Sequence, residues 1–256
     1  MPTALITGGS SGIGLEYARQ LARRGCGLLL VSNQEEQLRE VAERLQADYG
    51  VPVKALYMDL AKEGCAQELV DYSDEEGLAV DILINNAGMF FIDYLGEENL
   101  EKARAMMKLH VQTVTECCIL FGEKMKQRGR GKILIMSSMT ARIPAPGIAI
   151  YSASKAYLKS FGKSLSYELR PYGVTVTTVC PAAVDTGLYK LSDKMRKAGR
   201  CLGLVQRPET LVNRALRALD RGRRTYSPGI MNVLLPPLVK LLPARLIDRL
   251  GLKWMQ

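Results

Sequence analysis

The chain predicts an α/β fold, a doubly wound parallel sheet of about seven strands in one domain, and three observations carry that prediction. Short apolar runs alternate with longer stretches of helical periodicity from end to end. A glycine-rich turn, Thr7-Gly8-Gly9-Ser10-Ser11-Gly12-Ile13-Gly14, joins the first apolar run to the first helical one. No linker-like Pro/Gly/Ser tract, repeat or low-complexity run breaks the pattern before residue 180, and 256 residues suit one large α/β domain. Parallel strands need a crossover between them, and a helix in each gap supplies it.

Strands are expected at Thr3–Thr7, Gly27–Ser32, 53–58, 80–84, 132–137 and 174–180, with a short seventh at 224–227. Leu15, Ala18, Leu21 and Ala22 recur at helical spacing through Arg24. A long helix is expected over 100–127, where Met107, His110, Val111, Val114 and Cys118 share one face. Another starts near Tyr151 and runs through Leu158, Phe161, Leu165 and Leu169 to Arg170, stopping before Pro171. The whole chain, 1–256, reads as one domain with a loop at about 187–206 and a variable tail at about 228–256.

A glycine-rich turn between a strand and a helix aims free backbone N–H groups and the positive helix end at one point, which suits a pyrophosphate. An ordinary βα turn that is merely glycine-rich is the competing reading, weakened by the turn's position and by residues further along the chain. Ser138 ends the apolar run from Ile133 to Met136, and Tyr151 stands thirteen residues later with Lys155 one helical turn on. An ammonium beside a phenol favours the phenolate, so Tyr151 can exchange a proton with a carbonyl or alcohol oxygen near neutral pH. Ser138, at a strand's carboxyl end, can hydrogen-bond the same oxygen.

With these residues in place the chain resembles the short-chain dehydrogenases/reductases, NAD(P)-dependent oxidoreductases with a Rossmann-type sheet. Four blocks match in order: the Thr7–Gly14 turn, Asn85-Asn86-Ala87-Gly88, Ser138 with Tyr151 and Lys155, and Pro181-Ala182-Ala183-Val184-Asp185-Thr186. The last block usually begins Pro-Gly and here begins Pro-Ala. The resemblance implies that Thr7, Gly8, Ser10, Ser11, Gly12, Ile13, Gly14, Asn85, Ala87, Gly88, Pro181, Val184 and Thr186 bind the cofactor, Val184 and Thr186 holding the nicotinamide carboxamide. It places Asp59 and Leu60 at the adenine, and Tyr151 and Lys155 at both cofactor and substrate. The family usually has an asparagine in the long helix, holding a water linked to the lysine. His110, the chain's one histidine, occupies that position, so a proton relay and a satisfied core histidine stand level.

An acidic residue after the second strand would mark NAD, and an arginine there would mark NADP. Ser32 and Asn33 occupy the place instead. With no carboxylate to repel a 2′-phosphate, the balance falls slightly to NADP(H) over NAD(H). Phe90, Phe91, Ile143, Ile148 and Leu188 suggest an apolar substrate pocket. The expected reaction interconverts a secondary alcohol and a ketone on a bulky lipophilic, hydroxysteroid-like substrate. A 3-ketoacyl thioester reductase is the alternative. A non-catalytic NAD(P)(H) sensor ranks below both, since Ser138, Tyr151 and Lys155 are all present.

The six cysteines show neither a C-x-x-C pair nor metal spacing, so no metal is expected. No apolar stretch approaches the roughly 20 residues of a membrane span, and a strand beginning at residue 3 leaves no room for a signal peptide. A cytoplasmic location is therefore expected, and the family resemblance implies a homodimer or homotetramer through the two long helices. Residues 190–256 carry fifteen Lys/Arg and four Asp/Glu, a balance of +11. The chain as a whole is +9, which leaves −2 for residues 1–189. No stacking aromatics accompany the basic residues, which disfavours nucleic acid. The tail is expected to close the substrate pocket rather than rest on a membrane, because Pro236, Pro237 and Pro243 should break any long helix.

Overall fold

The structure is a computed structural model, and it describes residues 1–143, 145–186, 205–229, 231–241, 243 and 245. The elements are β1 (Thr3–Thr7), α1 (Gly12–Ala22), β2 (Gly27–Ser32), α2 (Glu35–Tyr49), β3 (Val53–Tyr57), α3 (Cys65–Glu75) and β4 (Val80–Asn85). Then come α4 (Leu100–Met107), α5 (Thr113–Gln127), β5 (Gly131–Met136), α6 (Ala149–Leu169), β6 (Val174–Val179), β7 (Ala183–Val184) and β8 (Val205–Gln206). The described chain ends with α7 (Pro208–Asp220), β9 (Thr225–Tyr226) and α8 (Met231–Lys240).

Seven strands form one parallel sheet in the order β3-β2-β1-β4-β5-β6-β9. Alternation along each strand divides its side chains between two helical layers. Ala4, Ile6, Leu28 and Leu30 pack with Tyr17 and Leu21 of α1, Leu38 and Leu45 of α2, and Leu216 of α7. Leu5, Leu29 and Val31 point the other way, toward Leu69 of α3, Phe121 of α5 and Leu165 of α6. Both faces of the central strands are covered, which is why β1, β2 and β5 read as apolar runs in the sequence, while the edge strand β3 stays largely exposed. The order reverses between β1 and β4, so the chain leaves these neighbours toward opposite sides and opens a crevice at their carboxyl ends.

Two expected elements come out differently. The helix over 100–127 is interrupted by a wide turn of π type at Lys108–Gln112. Such insertions in an otherwise regular helix occur where a residue must be re-aimed, and this one contains His110. Pro236 and Pro237 also stand inside a helix rather than breaking it, although α8 is only ten residues long and ends before Pro243. Proline's fixed φ suits a helix, and its cost lies in lost hydrogen bonds and crowding. Against that cost, Pro236 and Asn232 are buried, with Asn232 Nδ2 donating to Pro228 O at 2.5 Å. Most of the expected 187–206 loop, with Leu188, lies outside the described residues.

Candidate active site

The glycine turn is tied to the rest of the crevice by Thr7 and Asn86. Thr7 Oγ1 donates to Ile84 O at 3.3 Å and accepts from the N–H groups of Asn86 at 2.9 Å and Ala87 at 3.0 Å. Asn86 Nδ2 donates back to Thr7 O at 3.0 Å. These bonds lock the ends of β1 and β4 together. Gly8 has φ +67°, a conformation that L side chains rarely adopt, and a Cβ at Gly14 would lie 2.0 Å from Gly8 O. The turn therefore needs glycine at both positions to fold back on the start of α1. Ser11, the N-cap of α1, makes no side-chain cap bond, so the helix start keeps its N–H groups available for an anion.

A cleft of about 680 Å³ opens at this point. Its walls include Gly8, Ser10, Ser11, Gly12 and Ile13 from the turn, Ser32 and Asn33 after β2, and Asp59 and Leu60 after β3. Ala87 and Gly88 follow β4, and Pro181, Val184 and Thr186 close the opposite side, where Thr186 Cγ2 comes within 3.5 Å of a Cβ built on Gly12. Ser138, Tyr151, Lys155 and His110 line the same cleft. Three of the residues expected to bind the cofactor, Thr7, Gly14 and Asn85, are not among those that line the cleft. Thr7 ties β1 to β4, Gly14 seats α1 on the turn, and Asn85 turns its side chain to Cys118 Sγ at 3.2 Å. Of the Asn85-Asn86-Ala87-Gly88 block, Asn86, Ala87 and Gly88 line the cleft.

Ser138 follows β5 and caps a short 3₁₀ turn, Met139–Arg142, with its Oγ accepting from Thr140 N–H at 3.2 Å. Tyr151 and Lys155 sit one turn apart on α6, each only 5 % exposed, and Lys155 Nζ is 5.6 Å from the Tyr151 ring centre. Nζ donates to Met136 O at 3.0 Å, and Ser137 Oγ holds Lys155 O at 2.7 Å. Burial lowers the ammonium pKa to about 8. Phe90 meets Tyr151 edge-on at 4.9 Å, while Met89, Ala105 and Leu109 add apolar surface to the cleft. This composition suits a nucleotide at the turn and an apolar carbonyl or alcohol at Tyr151.

His110 is buried and both ring nitrogens are engaged. Nε2 accepts from Met89 N–H at 3.0 Å, so the ring proton resides on Nδ1 and is donated to Ser154 Oγ at 3.0 Å. Ser154 Oγ in turn donates to Tyr151 O at 2.8 Å. This line of bonds ends on a backbone carbonyl rather than at Lys155. Burial, and then the Lys155 charge, push the imidazole pKa far below its usual value. The geometry therefore favours a satisfied core histidine over a relay. Ser154, inside the Tyr151-to-Lys155 turn, was not legible as its partner.

Among the described residues no group of His, Cys, Asp or Glu could hold a metal. The five described cysteines are buried and unbridged, and Cys201 lies outside the described residues. No described helix is long and apolar enough to cross a membrane.

The chain is similar to several characterised proteins. It is 35 % identical over 235 residues to the very-long-chain 3-oxoacyl-CoA reductase of Aspergillus clavatus, covering 88 % of this chain and 64 % of that protein. It thus spans less than two thirds of that relative's length. With the 17-beta-hydroxysteroid dehydrogenase type 3 of Danio rerio it shares 30 % identity over 247 residues, covering 94 % of this chain and 76 % of the relative. The solved short-chain dehydrogenase of Sphingobium yanoikuyae in complex with NADPH superposes with a TM-score of 0.79 at 31 % identity, covering 95 % and 97 % of the two chains. The family profile described as short chain dehydrogenase matches residues 2–197, and with the switch-point cleft and its Ser138, Tyr151 and Lys155 set, the chain belongs to the short chain dehydrogenase family.

Proposed function

We propose that the protein reduces a bulky lipophilic ketone, or oxidises the matching secondary alcohol, with NADP(H) preferred over NAD(H). One observation carries this reading: Ser138, Tyr151 and Lys155 share a single cleft with the glycine turn. A bound reduced nicotinamide supplies a hydride to the carbonyl carbon. Tyr151 donates its phenolic proton to the carbonyl oxygen, and the Ser138 hydroxyl hydrogen-bonds that oxygen as charge builds on it. The Lys155 ammonium favours the phenolate left behind, and its bond to Met136 O fixes the distance over which it acts. His110 acts as a positioning residue, joining Met89 after β4 to the first turn of α6 through Ser154.

The cofactor preference is supported by the end of β2. Ser10 Oγ and Ser32 Oγ lie 2.9 Å apart, and Asn33 Oδ1 accepts from Gln34 Nε2 at 3.2 Å. These neutral groups favour a 2′-phosphate over the carboxylate pattern that reads a ribose hydroxyl. The two curated relatives name the substrate classes to compare, a hydroxysteroid first and a 3-oxoacyl thioester second. A homodimer is supported by exposed apolar residues on the paired helices, Met107, Ile119 and Tyr157, with Tyr157 stacked on Phe161 at 5.6 Å.

The test is a panel of ketosteroids and 3-oxoacyl thioesters, each run with NADPH and NADH while the absorbance of the reduced nicotinamide is followed. Ketosteroid turnover with a higher kcat/KM for NADPH is expected, and Asn33→Asp should reverse that preference. Repulsion between like charges at one site is worth on the order of a few kcal/mol. Absence of turnover with every ketone would overturn the reading, and an unchanged cofactor ratio in the variant would remove Asn33 from the 2′ end.

A further inference from the structure

We propose that α8 docks the domain on an anionic lipid surface beside the mouth of the cleft. The helix is apolar on both sides. Asn232 and Pro236 bury one face against the domain, close to the Met139–Arg142 turn, where Arg142 Nη1 reaches Asn232 O at 3.4 Å. On the other face Leu234 is 57 % exposed, Leu238 56 %, and Leu241, just past the helix end, 81 %. These positions recur at i, i+4 and i+7, so they form one stripe, and Pro237 beside them is exposed as well. A surface helix ordinarily presents polar groups to water on this side.

Topology places the stripe. Parallel strands put every strand-to-helix loop at one edge of the sheet, so α8, entered from the carboxyl end of β9, shares an edge with the turn after β5 that carries Ser138. A second apolar strip at this edge, Ile92, Tyr94 and Leu95 after β4, is accompanied by Asp93, Glu97 and Glu98. Its charge has the wrong sign for an anionic surface, which leaves the contact to α8.

Charge selects the occupant. Residues 228–256 hold Lys240, Arg245, Arg249 and Lys253 against Asp248 alone, and Arg245 is exposed. A second copy would bring its own net-positive segment, with an exposed Arg245, toward this one, like charge against like. An anionic bilayer supplies apolar depth and the opposite sign together. Pro236 and Pro237, which argued for a lid, stand inside the helix, and its outward leucines face away from the domain they would have to seal. Entry of substrate from the lipid would rest on the lipophilic-substrate reading above; docking itself does not.

The experiment sediments the full chain with vesicles of phosphatidylcholine alone and of an equimolar phosphatidylcholine–phosphatidylglycerol mixture, at low and high salt. Binding to the anionic vesicles is expected, falling about tenfold or more without phosphatidylglycerol or at high salt. The variant Leu234→Ser/Leu238→Ser/Leu241→Ser should lose about tenfold in binding while keeping the wild-type Tm and its turnover of a small water-soluble ketone. Arg245→Glu, on an exposed position, should weaken binding severalfold and provides a readout if the triple variant folds poorly. Docking is overturned by failure of the full chain to bind anionic vesicles, or by binding of both variants as tight as wild type. It is overturned too if the serine variant loses soluble-ketone turnover, which would make α8 a cover of the site, or halves the particle mass, which would make the occupant a second copy. Vesicle binding by a protein that turns over no ketone would uphold docking and sink the proposed reaction.

Discussion

In β1 and β2, Ala4, Leu5, Ile6 and Leu28 to Val31 are covered on both faces, while α8 covers one face and leaves Leu234, Leu238 and Leu241 in the open. The two regions differ in charge in the same sense, −2 for residues 1–189 against +11 for residues 190–256. Polar groups track the contrast. In the cleft the buried ones are cross-linked, Thr7 to Asn86, His110 to Met89 and Ser154, Lys155 to Met136. The comparison teaches that the sheet and the helices packed on it, α7 included, hold atoms still for chemistry, and that the outward face of α8 presents a surface. Substitutions in the first should therefore cost fold or turnover, and in the second binding to something outside.

Gly14→Ala should show the largest effect on stability. Its Cβ would meet the backbone oxygen of Gly8 at 2.0 Å, and backbone gives way far less readily than a side-chain tip. Overpacking of this kind costs about 1–3 kcal/mol or more, and here it also displaces the turn. Thermal unfolding should move down by several degrees and NADPH affinity should fall; a normal Tm with normal affinity would show that the turn is not held as described.

Lys155→Met should separate chemistry from stability. With its pKa lowered to about 8 from a usual 10.5, the buried ammonium favours the unfolded chain most at pH values below 8. That penalty fades as pH rises from 8 to 10.5, because there the unfolded chain binds the extra proton. The variant should lose turnover yet unfold at a higher temperature near pH 7, by at most about 3 kcal/mol less the lost bond to Met136 O. The advantage should vanish by pH 10.5. A variant less stable than wild type at pH 7 would show that Nζ holds the site together more than burial strains it.

His110 gives the smallest and most discriminating effect. A depressed pKa means that its stabilisation is present above pH 6.5 and is lost as pH falls below it, since only the unfolded chain then takes up the proton. His110→Asn should remove that acid-side slope and keep the bonds to Met89 and Ser154, whereas His110→Ala should cost about 1–3 kcal/mol by leaving them unmade. Both folded variants should retain kcat and its pH profile. A fall in kcat for His110→Ala with Tm unchanged would restore the relay.

The central strands β1, β2 and β5 were readable because strands covered on both faces become apolar runs, and the observed strand ends differ from expectation by about one residue. The glycine turn and the Ser138, Tyr151 and Lys155 spacing were readable because each depends on local geometry, a strand-to-helix turn or an i, i+4 pair. What escaped depends on contacts distant in sequence. Asn86, which lines the cleft, is held there by Thr7, seventy-nine residues earlier. The interrupted helix at His110 reflects bonds to Met89 and to Ser154, forty-four residues on. The prolines of α8 misled because their local cost was visible and the burial of Pro236 and Asn232 was not.

Tyr151 carries the proposed reaction most directly, and the measurement is the turnover of a bulky ketone by Tyr151→Phe beside its affinity for NADPH. The ring stays packed against Phe90 while the transferable proton is gone. NADPH affinity should stay close to wild type, and kcat should fall by about 10²–10⁴-fold. Near-normal turnover in that variant would contradict proton transfer from Tyr151.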